Sequence, residues 1–439
     1  MKMMTWMRFI LTRHNMSLFR PTSEFFSSAA PAEAEVRRTS EILGEAILSS
    51  VTSVRDSLPE QHRAHFETLR QEIIDFIKAH GISRESLGKP DLLREVTGKL
   101  SIQDLERLAL LFERFEYLLK HKEPKEVTDP LEYAEEFYHL REQYDSQVSL
   151  LEQVGVLKEG AITGIDGKIY PIPTLEQIAM RLFERRETLR TKHDQGFTKL
   201  LLVPFGMSLD SLQETLEQFL LKYKKDNPNF HLNTRVPLRV FGNMYKDVDA
   251  GGIQNLVYHP QSFDQINHHG KTKIQILEEQ EIARDFSPGW RVHLFQPARP
   301  EDTKSEGFAI IPKWNQGKVY GKEFPRRDLE AGEFTPNACL YFLKQVNRRQ
   351  KDSPYYGESG LIPEDWIIAF MTHVSETDEP LDDSYDQKTS GTFLIGCFSP
   401  FQMKIPGADW NGEFSSVHLG GNDRAFLSSS VGLRTSVVV

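Results

Sequence analysis

Cysteine is scarce in this chain, and its scarcity excludes several classes of protein. Two of the 439 residues are cysteines, Cys339 and Cys397, and neither stands in a Cys-x-x-Cys or a Cys/His spacing. A disulfide framework and a cysteine-based zinc site are therefore excluded. Because such a chain is ordinarily found in a reducing compartment, we predict a cytoplasmic location.

The sequence also lacks long apolar runs and an excess of positive charge. No run of about 18 apolar residues occurs, which argues against a membrane-spanning helix. The formal net charge is -10, whereas a protein that binds nucleic acid needs a basic face. We therefore expect neither a membrane nor a nucleic acid as the partner of this protein.

No complete catalytic, metal-binding or nucleotide-binding motif is present. Residues 317–322 include glycines and a lysine, but their spacing is not that of a phosphate-binding loop. A Gly-x-Ser-x-Gly elbow, a His-Glu-x-x-His pair and an EF-hand loop are all missing. The sequence thus predicts no cofactor and no metal, and it favours a non-enzymatic protein over an enzyme.

Residues 1–33 are predicted to be disordered or to form a targeting-like segment. The charged side chains before Glu24 are all basic, namely Lys2, Arg8, Arg13 and Arg20. Arg8 interrupts the apolar stretch that a secretory signal needs. A start at Met16 is equally compatible with this composition, so both interpretations stay open.

Residues 34–154 are predicted to form a helical bundle. Apolar residues recur there at intervals of three and four, which is the spacing of amphipathic helices. Three such stripes occur, at 66–77, 105–119 and 133–144. Because the stripes are short and are separated by glycine and proline, an antiparallel bundle is favoured over a partner-binding coiled coil.

Residues 155–439 are predicted to form a mixed α+β region, because helical and strand-like segments alternate there. The predicted helices are 174–190, 208–223, 335–349 and 363–374. The predicted strands are 199–204, 238–241, 254–258, 290–295, 307–311, 391–398 and 433–439. The fold class is therefore α+β, with an N-terminal helical bundle followed by a mixed region.

Four segments, 201–207, 258–263, 360–366 and 432–439, resemble a group of uncharacterised proteins of candidate-phylum bacteria. The C-terminal segment is similar in layout to C-type-lectin-like domains of the formylglycine-generating-enzyme type, through Trp410, Gly420-Gly421, Arg424 and Gly432-Leu433-Arg434. The resemblance implies a C-type-lectin-like fold at the C-terminus. The same fold forms the variable proteins of diversity-generating retroelements, in which substitutions are confined to a C-terminal stretch.

This resemblance implies a surface within 410–430 that binds a protein or another macromolecular ligand. An aromatic side chain supplies contact area at small entropic cost, and polar side chains supply adaptable hydrogen bonds. The candidate ligand-binding residues are Trp410, Asn411, Glu413, Ser415, Ser416, His418, Asn422, Asp423, Phe426 and Ser428. Gly432 is predicted to allow a close backbone approach, and Arg434 is predicted to be an anchoring cation. The copper-dependent activity of the oxidase branch is not implied, because its cysteine pair is reduced here to Cys397.

Two other functions stay open at this point. One is an enzyme of unrecognised type in the middle region, with His259, Asp247 and Asp249 as acid, base or metal-ligand candidates. The other is a scaffold that forms a homo-oligomer through its helical region. Convergence of the three side chains in a pocket would favour the enzyme, whereas a mass in solution that changes when residues 1–150 are removed would favour the scaffold.

Overall fold

The computed structural model divides the chain into two compact units. Unit 1 is Met1–Val127 and unit 2 is Thr128–Val439. The structure describes residues 55–83, 100, 102–123, 128–245, 256–300, 302, 304–314, 316 and 330–439. The predicted N-terminal segment 1–33, the glycine-containing loop 317–322 and the candidates Asp247 and Asp249 lie outside these residues.

The described residues form a mixed α+β structure, which confirms that part of the predicted fold class. The helices are α1 (Glu60–Ala79), α2 (Ile102–His121), α3 (Pro130–Tyr138), α4 (Leu140–Gln153), α5 (Leu175–Glu184), α6 (Arg186–Asp194), α7 (Leu209–Asp226), α8 (Lys273–Ala283), α9 (Pro336–Arg349) and α10 (Pro363–Thr377). The strands are β1 (Ala161–Thr163), β2 (Ile169–Pro171), β3 (Lys199–Val203), β4 (Leu238–Val240), β5 (Val257–Tyr258), β6 (Arg291–Phe295), β7 (Ser359–Gly360), β8 (Gly391–Phe393), β9 (Cys397–Phe398), β10 (Ile405–Asn411), β11 (Ser416–Asn422), β12 (Val431–Leu433) and β13 (Thr435–Val438). None of the helices in these ranges is long and apolar enough to cross a membrane.

In unit 1, α1 and α2 pack against each other through the apolar stripes that the sequence predicts. The rings of Phe66 and Phe115 stack with their centroids 5.2 Å apart, and Ile73 between the helices is fully buried. Burying a side chain of this size stabilises the folded state by about 1.5 to 3 kcal/mol. At the ends of the helices, His80 Nε2 lies 3.3 Å from Asp104 Oδ1.

Helices α3 and α4 belong to unit 2, whereas the sequence places the corresponding segment in the predicted bundle 34–154. The third apolar stripe does form helices, and side chains of α4 contact β3. The Gln143 Nε2 amide donates to the carbonyl oxygen of Thr198 at 3.0 Å, and Leu200 N–H donates to Gln143 Oε1 at 2.8 Å. Polar contacts of this kind do not appear in a hydrophobic periodicity, which is why the pattern assigned the segment to the bundle.

A four-stranded sheet with the order β3-β6-β13-β7 lies at the centre of unit 2, and its neighbouring strands are antiparallel. Every residue of β3 and of β6 is buried. Helix α10 packs against β3 and α7. Its residues 363–374 are all buried, which is typical of a helix inside a core rather than at a surface.

A five-stranded sheet with the order β12-β8-β10-β11-β4 carries most of the C-terminal segment. Strands β10 and β11 form an antiparallel hairpin whose register runs from Ile405 opposite Asn422 to Asn411 opposite Ser416. Tyr245 fastens this hairpin, because its hydroxyl donates to the carbonyl oxygen of Gly407 at 2.7 Å and also contacts that of Gly420. Strand β4 lies parallel to β11 at the end of the sheet order.

Three predicted strands differ from the structure. The predicted strand 391–398 is two strands, because residues 394–396 leave the sheet between β8 and β9. The predicted strand 433–439 overlaps two strands in different sheets, and Arg434 stands between β12 and β13 where the chain changes sheets. Residues 307–311 form no strand; Phe308 makes an isolated bridge to Pro297.

Candidate functional site

Trp410 and Ser416, two of the predicted ligand-binding residues, are buried inside unit 2. Trp410 is 3% exposed, and its ring centroid lies 6.1 Å from that of Phe370 on α10 and 5.7 Å from that of Phe230. Successive side chains of a strand point to opposite faces, so Trp410 and its partner Val417 share the face that packs on the core. Ser416 is fully buried as well. These two residues therefore do not form part of an exposed binding surface.

The other predicted binding residues form two groups at opposite ends of β11. Asn411, Glu413, Ser415 and His418 lie around the turn of the hairpin, whereas the remaining four follow the distal end of the strand: Asn422, Asp423, Phe426 and Ser428. Seven residues of strand span roughly 20 Å at about 3.3 Å per residue. The structure thus does not bring the predicted residues together in one patch.

The distal group makes contacts within the protein. Asp423 Oδ1 lies 2.8 Å from Lys404 Nζ, and the hydroxyls of Ser428 and Ser430 are 2.9 Å apart. Phe426 is 39% exposed and meets the buried ring of Phe393 edge-on at 6.3 Å. These contacts hold the loop after β11 against the sheet.

The group at the turn lies beside a cluster of exposed rings that the sequence did not single out. Phe414 is 42% exposed and Phe241 is 49% exposed. The guanidinium carbon of Arg239 lies 4.3 Å from the Phe414 ring centroid. The His418 ring stacks on Phe414 at 5.9 Å and meets Phe241 edge-on at 5.6 Å. We call these four residues, Arg239, Phe241, Phe414 and His418, the aromatic face.

Strand pairing explains why the aromatic face assembles. Arg239 stands opposite His418 in the parallel register of β4 and β11. Phe241, two residues after Arg239, falls on the same side of the sheet. Phe414 joins them because the hairpin turn returns the chain at Ser415, whose φ of 48° is left-handed. A signal for Phe414 was present in the sequence, since it lies within 410–430, but β4 is far away along the chain.

The aromatic face combines one cation with an uncharged histidine. Burial, followed by the positive charge of Arg239, lowers the pKa of His418 from its ordinary value. His418 Nε2 and Arg239 Nε are both covered by neighbouring atoms, and neither has a hydrogen-bond partner within the described ranges. An unsatisfied covered polar atom costs about 1 to 3 kcal/mol, so the protein holds these two groups at an energetic cost.

Gly432 and Arg434, the two predicted structural residues, lie in and directly after β12. Gly432 stands opposite Thr392 in the pairing with β8. The Arg434 guanidinium is 5% exposed, donates to both carboxylate oxygens of Asp382, and donates to the carbonyl oxygen of Ala309 at 2.7 Å. The indole N–H of Trp366 also donates to Asp382, at 2.9 Å.

His259, a predicted acid, base or metal-ligand residue, lies beside a buried network of charged side chains. Arg291 binds Asp365 through two hydrogen bonds of 3.1 and 3.2 Å, and its Nη1 lies 3.2 Å from His259 Nε2. Burial alone would raise the pKa of Asp365, but Arg291 and His293 hold it at about 2. Asp247 and Asp249 lie outside the described residues, so the predicted set of three stays a prediction.

A row of Ser436, His293 and Asp365 adjoins this network. The Ser436 hydroxyl lies 2.9 Å from His293 Nδ1, and His293 Nε2 lies 3.1 Å from Asp365 Oδ1. The three residue types are those of a hydrolytic triad, but each of them is fully buried. A nucleophile must reach its substrate, so this row holds Arg291 in place rather than attacking a bond.

Within the ranges that the structure describes, no three His, Cys, Asp or Glu side chains are placed to hold a metal ion. Comparison with known proteins gives no match: no family model, no curated protein and no solved structure is significantly similar to this chain. The C-type-lectin-like assignment and the relation to retroelement proteins therefore stay predictions.

Proposed function

We propose that this protein is a non-enzymatic binding protein and that it recognises a protein partner through the aromatic face. The observation that carries the proposal is the exposure of Phe241 and Phe414 beside Arg239. Phenylalanine, like the other aromatic residues, and arginine are enriched at protein interfaces relative to the rest of the surface. The turn residues Asn411, Glu413 and Ser415 would form the polar rim around them.

The chemistry of the aromatic face favours a partner segment that carries an apolar side chain next to a carboxylate. The rings of Phe241 and Phe414 offer apolar contact area. Arg239 offers guanidinium donors, and a carboxylate is the group that a guanidinium binds best. The exposed side chain of Arg235, four residues before Arg239, adds a second positive charge near β4.

We also propose that the C-terminal segment has a C-type-lectin-like fold and that a retroelement diversifies it. If the C-terminal stretch is diversified, variation should fall on exposed turn residues such as Glu413. It should spare Trp410, because a smaller side chain there would leave a cavity against Phe370. Genomes of related isolates provide the test: a neighbouring reverse-transcriptase gene and a near-copy of the 3′ end would support this part, and identical tails would contradict it.

A peptide-display selection against the full-length protein tests partner recognition directly. Peptides that pair acidic with apolar residues should be enriched, and the best synthetic peptide should bind the Phe414→Ala variant at least about ten-fold more weakly, because a central aromatic anchor is worth 2 kcal/mol or more. Tyr341→Ala is the matched control, because Tyr341 on α9 is 65% exposed and does not belong to the aromatic face. Equal binding by wild type and Phe414→Ala would overturn the proposal.

A further inference from the structure

A cavity of about 220 Å³ opens in unit 2 beside the charged network. Its apolar wall includes Phe205, Trp290 and Val292, and its polar wall includes His259, Gln280 and Arg291. Pockets for drug-sized ligands have volumes of about 300 to 1,000 Å³, so this cavity suits a smaller molecule. It is separate from the aromatic face and shares no residue with it.

Arg291 offers unused donors to this cavity. A guanidinium has five N–H groups, of which Nε and one of Nη2 donate to Asp365, while one of Nη1 donates to His259. The two remaining N–H groups have no protein partner within the described residues. Because Asp365 binds the guanidinium through both its oxygens, Arg291 is fixed in orientation before any ligand arrives.

His259 adds a further donor, and its direction follows from Arg291. An arginine can only donate, so the Nε2 atom of His259 must accept the hydrogen bond from Arg291. The proton of the neutral ring is therefore on Nδ1. Although His259 is exposed to solvent at the cavity, desolvation by the surrounding side chains and the positive charge of Arg291 lower its pKa, which keeps the ring neutral at pH 7.

The other charged residues at the cavity bear on the sign of its ligand. Asp365 offsets the charge of Arg291. Arg181 and Asp285 also line the cavity, and Arg181 Nε has no hydrogen-bond partner within the described residues. Arg181 and Asp285 carry opposite charges, and Arg291, His259 and Arg181 supply N–H donors in the cavity wall. Donors around an apolar wall match an acceptor group attached to an apolar body.

We propose that this cavity binds a small organic carboxylate with a compact apolar body. The carboxylate accepts hydrogen bonds from Arg291 and His259, and the apolar body lies against Trp290, Val292 and Phe205. The volume corresponds to roughly seven water molecules at about 30 Å³ each, which limits the ligand to on the order of ten non-hydrogen atoms. This inference does not depend on the partner-binding function proposed above.

Isothermal titration calorimetry of the full-length protein tests this proposal with 3-methylbutanoate as the probe and the isosteric 3-methylbutanamide as its neutral counterpart. The carboxylate should bind about ten-fold or more tightly than the amide, because hydrogen bonds to a charged group are the stronger ones. His259→Ala should weaken binding of the carboxylate about ten-fold. Its side chain is exposed, so this variant leaves no cavity in the core, although Arg291 Nη1 loses the acceptor that His259 provides.

Two variants of α8 test whether the ligand binds in the cavity. One fills the cavity with a larger side chain, and the other makes the same change elsewhere on the helix. Ile276 lines the cavity, whereas Ile282 on the same helix is 83% exposed and does not. Ile276→Phe should abolish binding of 3-methylbutanoate, and Ile282→Phe should leave it unchanged. The proposal is overturned if acid and amide give indistinguishable heats, or if both α8 variants bind the acid like the wild type.

Discussion

At the scale of single residues, buried charges mark the places where distant segments of unit 2 are fixed to each other. Among the residues that the structure describes, four lysine or arginine ion pairs have both side chains almost completely removed from solvent: Lys192–Glu358, Lys273–Glu364, Arg291–Asp365 and Arg434–Asp382. Removing ions from water costs several kcal/mol each, and only well-formed hydrogen bonds offset that cost. The pairs therefore specify which segments meet more than they add to stability.

Removing only the cation of such a pair should lower the free energy of unfolding more than neutralising both partners. Arg434→Met leaves Asp382 buried without its cation, so we expect the free energy of unfolding of unit 2 to fall by about 3 to 5 kcal/mol. The double variant Arg434→Met with Asp382→Asn should lose clearly less, because the neutral amide still accepts from Trp366. Urea unfolding followed by tryptophan fluorescence measures both; equal losses would contradict the argument.

Asp409 should make stability depend on pH in the direction opposite to that of a paired carboxylate. Burial, reinforced by the charges of Asp382 and Asp383 against an opposing hydrogen bond from Ser384, raises the pKa of Asp409 to about 6. The folded protein thus holds this proton more tightly than the unfolded chain, whose pKa is near 3.8. Raising the pH from about 4 to about 6 therefore removes about 2 to 3 kcal/mol of stability, with no further loss above that window.

The variant Asp409→Asn isolates this titration. The difference in unfolding free energy between Asp409→Asn and the wild type should increase in favour of the variant between pH 4 and pH 6 and then stay constant. Asp423→Asn serves as the control, because its side chain is 71% exposed. A difference that does not vary with pH would show that Asp409 keeps an ordinary pKa.

At the scale of elements, two glutamines of α4 complete the hydrogen bonding of a sheet edge. Strand β3 ends the order of the four-stranded sheet, and its outward N–H groups at Leu200 and Leu202 donate to Oε1 of Gln143 and of Gln147, at 2.8 and 3.4 Å. The Gln147 amide also donates to the hydroxyl of Thr372 on α10, at 3.1 Å. The glutamines stand four residues apart, so they lie on one side of the helix.

Replacing either glutamine by an apolar residue of similar size should lower the stability of unit 2, because N–H groups of β3 lose their hydrogen-bond acceptor. Gln147→Leu leaves the N–H of Leu202 and the hydroxyl of Thr372 with fewer partners, so we expect unit 2 to lose about 1 to 3 kcal/mol. Amide hydrogen exchange at Leu202 should accelerate at the same time. Gln153→Leu, at the exposed end of α4, should change neither quantity. An unaltered exchange rate in Gln147→Leu would contradict the role of the helix.

At the scale of the whole molecule, each unit has a core of its own. Among the described residues, the core of unit 1 includes Leu58, Phe66, Ile73 and Leu118, and Phe115 is fully buried in it. Four of the five tryptophans of the chain, Trp290, Trp314, Trp366 and Trp410, lie in unit 2. Tryptophan fluorescence therefore reports mainly on unit 2, while far-ultraviolet circular dichroism reports on the helices of both units.

A variant that creates a cavity in the core of unit 1 should therefore change the unfolding curve recorded by circular dichroism but not the one recorded by tryptophan fluorescence. Phe115→Ala should cost unit 1 about 3 to 5 kcal/mol. The circular-dichroism transition in urea should gain an early phase, while the midpoint of the fluorescence transition stays that of the wild type. Coincident shifts of both signals would mean that the chain unfolds as a single cooperative body.

The sequence predicted the helices and strands that bury one or both faces. It did not predict contacts between residues that are far apart along the chain. The stripe from Phe66 to Ile77 is α1, and the apolar run 199–204 is β3 to within one residue, because burial on one face or on both leaves a local pattern. Arg291 and Asp365 are 74 residues apart, and no spacing rule connects them. His418 of the aromatic face was among the predicted binding residues, but Arg239 and Phe241 were missed for the same reason, since β4 reaches β11 only through a parallel pairing.

The glutamines of α4 also bear on how copies of this protein can associate. With the outward N–H groups of β3 already engaged by Gln143 and Gln147, a strand of a neighbouring molecule finds no free backbone donor at Leu200 or Leu202. Filaments that grow by adding a strand of one molecule to the sheet of the next therefore do not begin at this edge. Whatever assembly the chain enters must be built from side-chain surfaces or begin at another margin.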